Sequence, residues 1–227
     1  MGRIQAAFEF VRDHVQYRLG NWNRRASETL FEREGSCTNS ANLFVAITRA
    51  MGIPAAFGVM TVRGQEYFGA ATPPGLERWI KPLSRHVYAF AKAGERWMHV
   101  DPSDDSLLSL GSQHFNHQST LVDFSRERGA ILSLDESHIV NDEGPVASID
   151  GVMGKRHSLR GRLLARIGNS YVQFLREEGA QCSSSGDAHE RFPRFLAERR
   201  RFAEYLMFKA MTARSLSGER TRAQAAG

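Results

Sequence analysis

The sequence predicts an α+β protein: a helical N-terminal part packed on an antiparallel sheet, followed by a helical C-terminal extension. Three observations carry that expectation. Apolar residues recur at helical spacing in "IQAAFEFVRDHVQYRL" and again in "CTNSANLFVAITRAM". Two β-rich runs flank the turn-like "KAGE" in "RHVYAFAKAGERWMHVDPS". From Lys155 onward the spacing is helical again.

Taken in order, Ile4, Ala7, Phe8, Val11, Val15 and Leu19 predict a first helix ending near Gly20. The polar loop "GNWNRRAS" leads to a short helix around "ETLFER". A second long helix is expected from Cys37 to Met51, with Leu43, Phe44, Ile47 and Met51 on one face. Ser36 is placed to cap it, and Gly52 and Pro54 to end it. "PAAFGVMTV" reads as a strand, "TPPGLERWIKPLS" as an irregular connection with three prolines, and the hairpin follows. "TLVDF" and "GAILSL" are candidate short strands. Beyond them come the helical "SLRGRLLARIGNSYVQFLREEG", the flexible "AQCSSSGDAH" and the helical "RFPRFLAERRRFAEYLMFKAMTARSL". In that last helix Phe192, Phe195, Leu196, Phe202, Leu206 and Phe208 are expected to pack inward, with the arginines in solvent. The division expected is a first domain over 1–140 and a basic, mainly helical extension over 141–227, with a disordered tail at 217–227.

Composition narrows the class. With 227 residues, 41% hydrophobic and 24% charged, the chain is long enough for a sizeable core and fits neither a disordered nor a fibrous protein. No apolar run approaches the roughly 18 residues of a membrane span, and the first residues lack a signal-peptide core, so a cytoplasmic location is expected. The opening Met-Gly resembles a myristoylation start, but Ala6 stands where that motif has Ser or Thr. In a reducing compartment Cys37 and Cys182 read as free thiols. Charge is uneven: residues 1–154 carry 15 Lys and Arg against 18 Asp and Glu, and residues 155–227 carry 15 against 7.

Cys37 is the first candidate for chemistry. A thiol in the first turn of a helix lies near the positive end of the macrodipole, which favours thiolate. The unpaired backbone N–H groups there can also hold the oxyanion formed when that thiolate attacks a carbonyl. Such a nucleophile needs a base, and the base needs an orienting partner. If the hairpin is symmetric about a four-residue turn from Lys92 to Glu95, His86 lies directly opposite Asp101, within reach of a carboxylate–imidazole hydrogen bond.

These residues carry a resemblance. "ASETLFEREGSCTNSANLFVAITRAMGIPAAFG" followed by "RHVYAFAKAGERWMHVDPS" resembles the transglutaminase-like superfamily of papain-type cysteine enzymes, over roughly residues 5–105. The resemblance implies a papain-like core in which Cys37 is the nucleophile, His86 the general base and acid, and Asp101 the residue that orients the imidazole. Gly35, Gly52, Ile53, Pro54, Trp97 and Pro102 match the framework around them. Tyr88 stands where members commonly have Trp. A second oxyanion donor upstream of the cysteine has three candidates, Gln16, Tyr17 and Trp22, of which the two aromatics read first as packing residues.

The activity implied is acyl transfer through a thioester acyl-enzyme. The acyl donor is a peptide, an amide or a carrier-bound thioester, and the acceptor is water or an amine. The alternative is a non-catalytic binding module that keeps the fold. No cofactor or metal is expected. His114 and His117 in "HFNH" lack a third ligand, and "DPSDD" lacks the longer array of a calcium loop. His99 shares a strand face with Trp97 and Asp101 and reads as a supporting or structural histidine, and Cys182 as an incidental exposed thiol. The basic extension carries no nucleic-acid motif; an acidic partner such as a carrier protein is the interaction its charge would suit.

Overall fold

The computed structural model describes residues 1–20, 22–69, 72–73, 76–113, 124–130, 136–150 and 159–212. His114, His117, most of "TLVDF" and the tail 217–227 lie outside the described residues.

Helix α1 spans Gly2–His14 and buries Ile4, Ala7, Phe8 and Val11 on one face. It stops short of Gly20 because the next amides bond elsewhere. Gln16 N–H donates to Arg33 O at 2.9 Å and Arg18 N–H to Gly35 O at 2.8 Å. This sets up a two-residue parallel pair, β1 (Gln16–Tyr17) with β2 (Glu34–Gly35). The pairing could not be read from either segment alone, since both are too short to show a period.

Helix α2 (Ala26–Glu32) lies between those strands and ends on Arg33, whose φ of 54° turns the chain into β2. Helix α3 (Cys37–Ala50) follows at once. Its N-terminus is closed by Asn39, whose Oδ1 accepts both the Ser36 N–H at 3.0 Å and the Ser36 hydroxyl at 2.9 Å. At the far end Gly52, at φ 72°, lets Ile53 N–H reach back to Thr48 O.

Five strands form the main sheet: β3 (Ala55–Arg63), β4 (Leu83–Ala93), β5 (Arg96–Val100), β6 (Gly129–Ala130) and β7 (Ile139–Val146), in the order β6-β5-β4-β3-β7. All neighbours are antiparallel except β5 with β6. Strand β7 spans residue 140 and pairs with β3 through two register shifts. Its sequence, "IVNDEGPV", mixes charge, Gly and Pro, which hides it from a propensity reading. Helix α4 (Gly64–Gly69) continues directly from β3 and was not anticipated either.

One core fills the space between α1, α3 and the sheet, with Phe8, Val11, Phe44, Val59, Val87, Ala89 and Val100 all buried. A second is built by the C-terminal helices α6 (Leu159–Glu178) and α7 (Ser185–Glu198), together with Leu108 of α5 (Ser106–Gly111). The two helical layers meet closely: a Cβ on Gly111 would lie 1.9 Å from Leu175 O, and one on Gly179 would lie 2.2 Å from Gly111 O. The chain is therefore α+β, with helices on the sheet and a helical layer beyond it.

Two details of the extension differ from expectation. The last helical stretch is broken at Arg200, at φ 54°, where Arg201 N–H bonds to Leu196 O, and residues 202–212 form a new helix in a different phase. Phe192, Phe195, Leu196 and Phe208 are buried as anticipated, but Phe202 and Leu206 are 61% and 66% exposed. Cys182 is buried rather than exposed: its thiol faces Glu178 O at 3.5 Å and Arg191 lies 3.6 Å from the sulfur.

Candidate active site

Cys37 opens α3, directly after the Ser36 cap, and is partly exposed. Its N–H and that of Thr38 stand in the first turn, where the helical ladder has no use for them. Strand β4 packs alongside α3, and its His86 and Val87 are close enough to the sulfur to act on the ionisation of the thiol.

His86 and Asp101 meet, though not as direct partners. The turn has two residues, Gly94 and Glu95, with Gly94 at φ 65°, so Ala93 pairs with Arg96 and Ala89 with Val100. The register is thus shifted by two from the expected one. An even shift preserves the face, and diagonal neighbours on one face remain within reach of a histidine side chain. His86 Nε2 lies 2.5 Å from Asp101 Oδ2, with both residues buried. Asp101 is fixed in turn: its N–H donates to Ala130 O at 2.7 Å, and its Oδ1 accepts the Ser103 N–H and hydroxyl. With Nε2 committed to the carboxylate, Nδ1 is the ring nitrogen left for Cys37.

The electrostatics follow from this chain of contacts. Burial works against ionising Cys37, but the hydrogen bond and charge of His86, with the Val87 N–H, outweigh it and lower the thiol pKa. Burial likewise disfavours the imidazolium, yet Asp101 and Cys37 lift His86 well above the usual histidine range. Burial would raise Asp101, and His86 and Ser103 hold it below the usual carboxylate range instead. The three shifts run together, toward thiolate, imidazolium and carboxylate.

Around them stand groups that local patterns do not mark. Tyr17 and Tyr67 both feel the Cys37 charge, and burial pushes both phenols well above their ordinary pKa, so they stay protonated donors. The Tyr67 ring lies 5.6 Å from that of His86. Asp104 sits between the anchored Asp101 and Asp105; burial and those two carboxylates push its pKa up to about 7. Of the three candidate oxyanion donors, Gln16 is exposed, and Tyr17 and Trp22 are partly buried.

Tyr88 lies on the same sheet face as His86, its ring nearly parallel to that of His86 at 6.5 Å and stacked on His99 at 4.0 Å. Its hydroxyl donates to Asp142 at 2.7 Å. Gly58 makes room for that ring, since a Cβ there would lie 2.2 Å from Tyr88 Cζ. His99 is therefore a packed ring, and burial lowers its pKa. Among the described residues no group of three or more His, Cys, Asp or Glu is placed to hold a metal ion, and no helix is long and apolar enough to cross a membrane.

Residues 2–102 match the family model of the transglutaminase-like superfamily. Cys37, His86 and Asp101 all fall inside that stretch; Asp104, Asp105 and the helices α6 and α7 fall outside. The chain is also similar to the uncharacterized protein Rv2569c of Mycobacterium tuberculosis and to the uncharacterized protein Mb2599c of Mycobacterium bovis. Each is 27% identical over 130 residues, which are 55% of this chain and 40% of the relative. The chain thus spans less than half the length of these relatives.

Proposed function

We propose that the protein is a cysteine-dependent acyl-transfer enzyme with Cys37 as nucleophile, His86 as proton carrier and Asp101 as the group that orients His86. The observation that carries this reading is the 2.5 Å contact of His86 with a buried Asp101, beside a Cys37 thiol whose pKa His86 lowers.

In the first half-reaction the Cys37 thiolate adds to the carbonyl carbon of an amide, ester or thioester. The oxyanion forms against the first-turn N–H groups of α3. The tetrahedral adduct collapses, His86 gives its proton to the departing amine, alkoxide or thiolate, and a thioester to Cys37 remains. In the second, His86 takes a proton from water or an amine as that nucleophile attacks the thioester. The acid or amide leaves and the thiolate is restored. A peptide, amide or carrier-bound thioester is the donor class this chemistry serves, and an acidic carrier protein is a fitting partner for the positively charged extension.

The test is the rate of iodoacetamide alkylation at Cys37 against pH, read by peptide mass spectrometry with Cys182 as internal control. Cys37 should react as a thiolate well below the free-cysteine pKa of about 8.5 and lose that advantage in His86→Ala. Equal reactivity of the two cysteines, or indifference to His86, would overturn the enzyme reading and leave the binding-module alternative.

A further inference from the structure

Helix α2 turns its apolar residues away from the core. It packs inward with Ala26 and Thr29, while Leu30 is 45% exposed and Phe31 85% exposed, the highest value of any large apolar side chain among the described residues. Phe10, near the end of α1, is exposed as well. Scattered apolar residues on a surface need no explanation, but these three gather about one place. With His14, Val15 and Arg33 they line a hollow of about 380 Å³ between the two helices. That volume is within the range of small-molecule sites.

The ionisable groups of the lining give the sign of what fills it. His14 Nδ1 bonds to Phe10 O at 3.0 Å; a carbonyl only accepts, so Nδ1 carries the proton and Nε2 is left for a ligand. The imidazole lies along the Phe10 ring, with centroids 4.7 Å and planes 18° apart. Arg33 sits at φ 54°, the left-handed position past a helix end that glycine commonly fills, so the arginine is held there against backbone strain. Its guanidinium has no carboxylate partner among the described residues, whereas Arg18 and Arg24 share Glu34, the next residue in the chain. The C-terminal ends of α1 and α2 bring only partial negative charge to the rim, and the full charge of Arg33 outweighs it.

We infer that this hollow binds a small carboxylic acid with an apolar body: the body lies against Phe10, Leu30 and Phe31, and the carboxylate pairs with Arg33, with His14 beside it. A peptide fits less well. The apolar walls offer its amides no acceptor, and two backbone carbonyls of the lining are already engaged, Arg33 O by Gln16 N–H and Phe10 O by His14. The site holds whether or not Cys37 is a nucleophile.

The test titrates phenylbutyrate, and separately its neutral amide phenylbutyramide, into the full chain with isotope-labelled Val and Leu methyl groups. The acid should shift the Val15 and Leu30 methyl signals in NMR spectra, with a dissociation constant of about 1 mM or below. The amide should bind about 10-fold or more weakly. Arg33→Gly is the discriminating variant. Glycine relieves the left-handed strain, so Tm should equal or exceed that of wild type, while affinity for the acid should fall about 10-fold, to that of the amide. Phe31→Ser should weaken acid and amide alike and leave Tm unchanged, because the ring stands in solvent. Arg63→Gln, at an exposed arginine outside the hollow, should change neither affinity.

Equal affinity for acid and amide, wild-type affinity or a lowered Tm in Arg33→Gly, or the absence of any saturable shift at Val15 and Leu30 would each overturn the inference. So would shifts of these methyl groups on dilution of the protein that the acid does not alter, which would make the hollow a contact between two copies of the chain. None of these outcomes bears on Cys37, whose alkylation profile tests the enzyme reading separately.

Discussion

His86 and Asp101 share one face of the β4–β5 hairpin as diagonal rather than opposite neighbours, and the imidazole leans along the sheet to close a 2.5 Å contact. The carboxylate thus approaches the ring edge at Nε2, leaving the opposite edge turned toward α3.

Asp101→Asn should keep this packing and remove the charge that most raises His86. Its imidazole pKa, followed by NMR, should fall. Because the imidazolium in turn lowers the Cys37 thiol pKa, the alkylation profile of Cys37 should move to higher pH. The thiolate–imidazolium pair exists between the lowered thiol pKa and the raised imidazole pKa, so both edges of that window should close inward. An unchanged profile would show that Asp101 does not act on the pair.

Asp104 predicts an opposite dependence in stability. Its folded pKa, about 7, lies above the unfolded carboxylate value, so it destabilises the fold progressively as pH rises from about 4 to about 7. Asp104→Asn should therefore raise Tm relative to wild type at pH 8 and give little gain at pH 4. A uniform gain at both pH values would exclude the titration as its cause.

Gly58→Ala sets a methyl group against the Tyr88 ring, which is buried and bonded to Asp142 and cannot withdraw. The overpacking should cost about 1–3 kcal/mol in urea unfolding. The same change presses on the ring that lies alongside His86, so alkylation of Cys37 should slow as well.

Asp105→Ala would strip a buried Arg176 of its counter-ion, remove the cap of α5 and free the Tyr17 N–H at once. A loss of about 3–5 kcal/mol is expected from the broken pair alone. Denaturant titration checks it; a loss under about 1 kcal/mol, the range of a surface pair, would mean that the ion pair is solvated.

How much of this was legible from sequence depends on the range of the contact. Cys37 declares itself locally, because a cap, a helix period and a terminating Gly52 all lie within one short stretch. His86 and Asp101 were legible by parity: the two-residue error in the hairpin register left both on one face, whereas an error of one would have parted them. The Gly94 turn was the part misread, since "KAGE" reads as a turn without showing how many of its residues lie outside the strands. Tyr17 was only one of three candidates upstream of Cys37, and Asp104 and Arg176 were not legible as its neighbours. The Tyr17 carbonyl meets Arg176 across 159 positions, and no periodicity reports on a contact of that span. The phase change at Arg200 misled for a related reason, because a single left-handed residue resets the apolar stripe that Phe202 and Leu206 otherwise continue.

The close approach of Gly111 to Leu175 and Gly179 bears on autonomy. The family match ends at residue 102, but the folded body does not part there. Severing the chain ahead of α6 would uncover Leu76 and Leu108, bare the seam at Gly111 and strand the Asp105 carboxylate in an apolar setting. The segment that matches the family model, produced by itself, should therefore be a sticky fragment prone to self-association. The segment that matches the family model is, in this protein, one side of a joint.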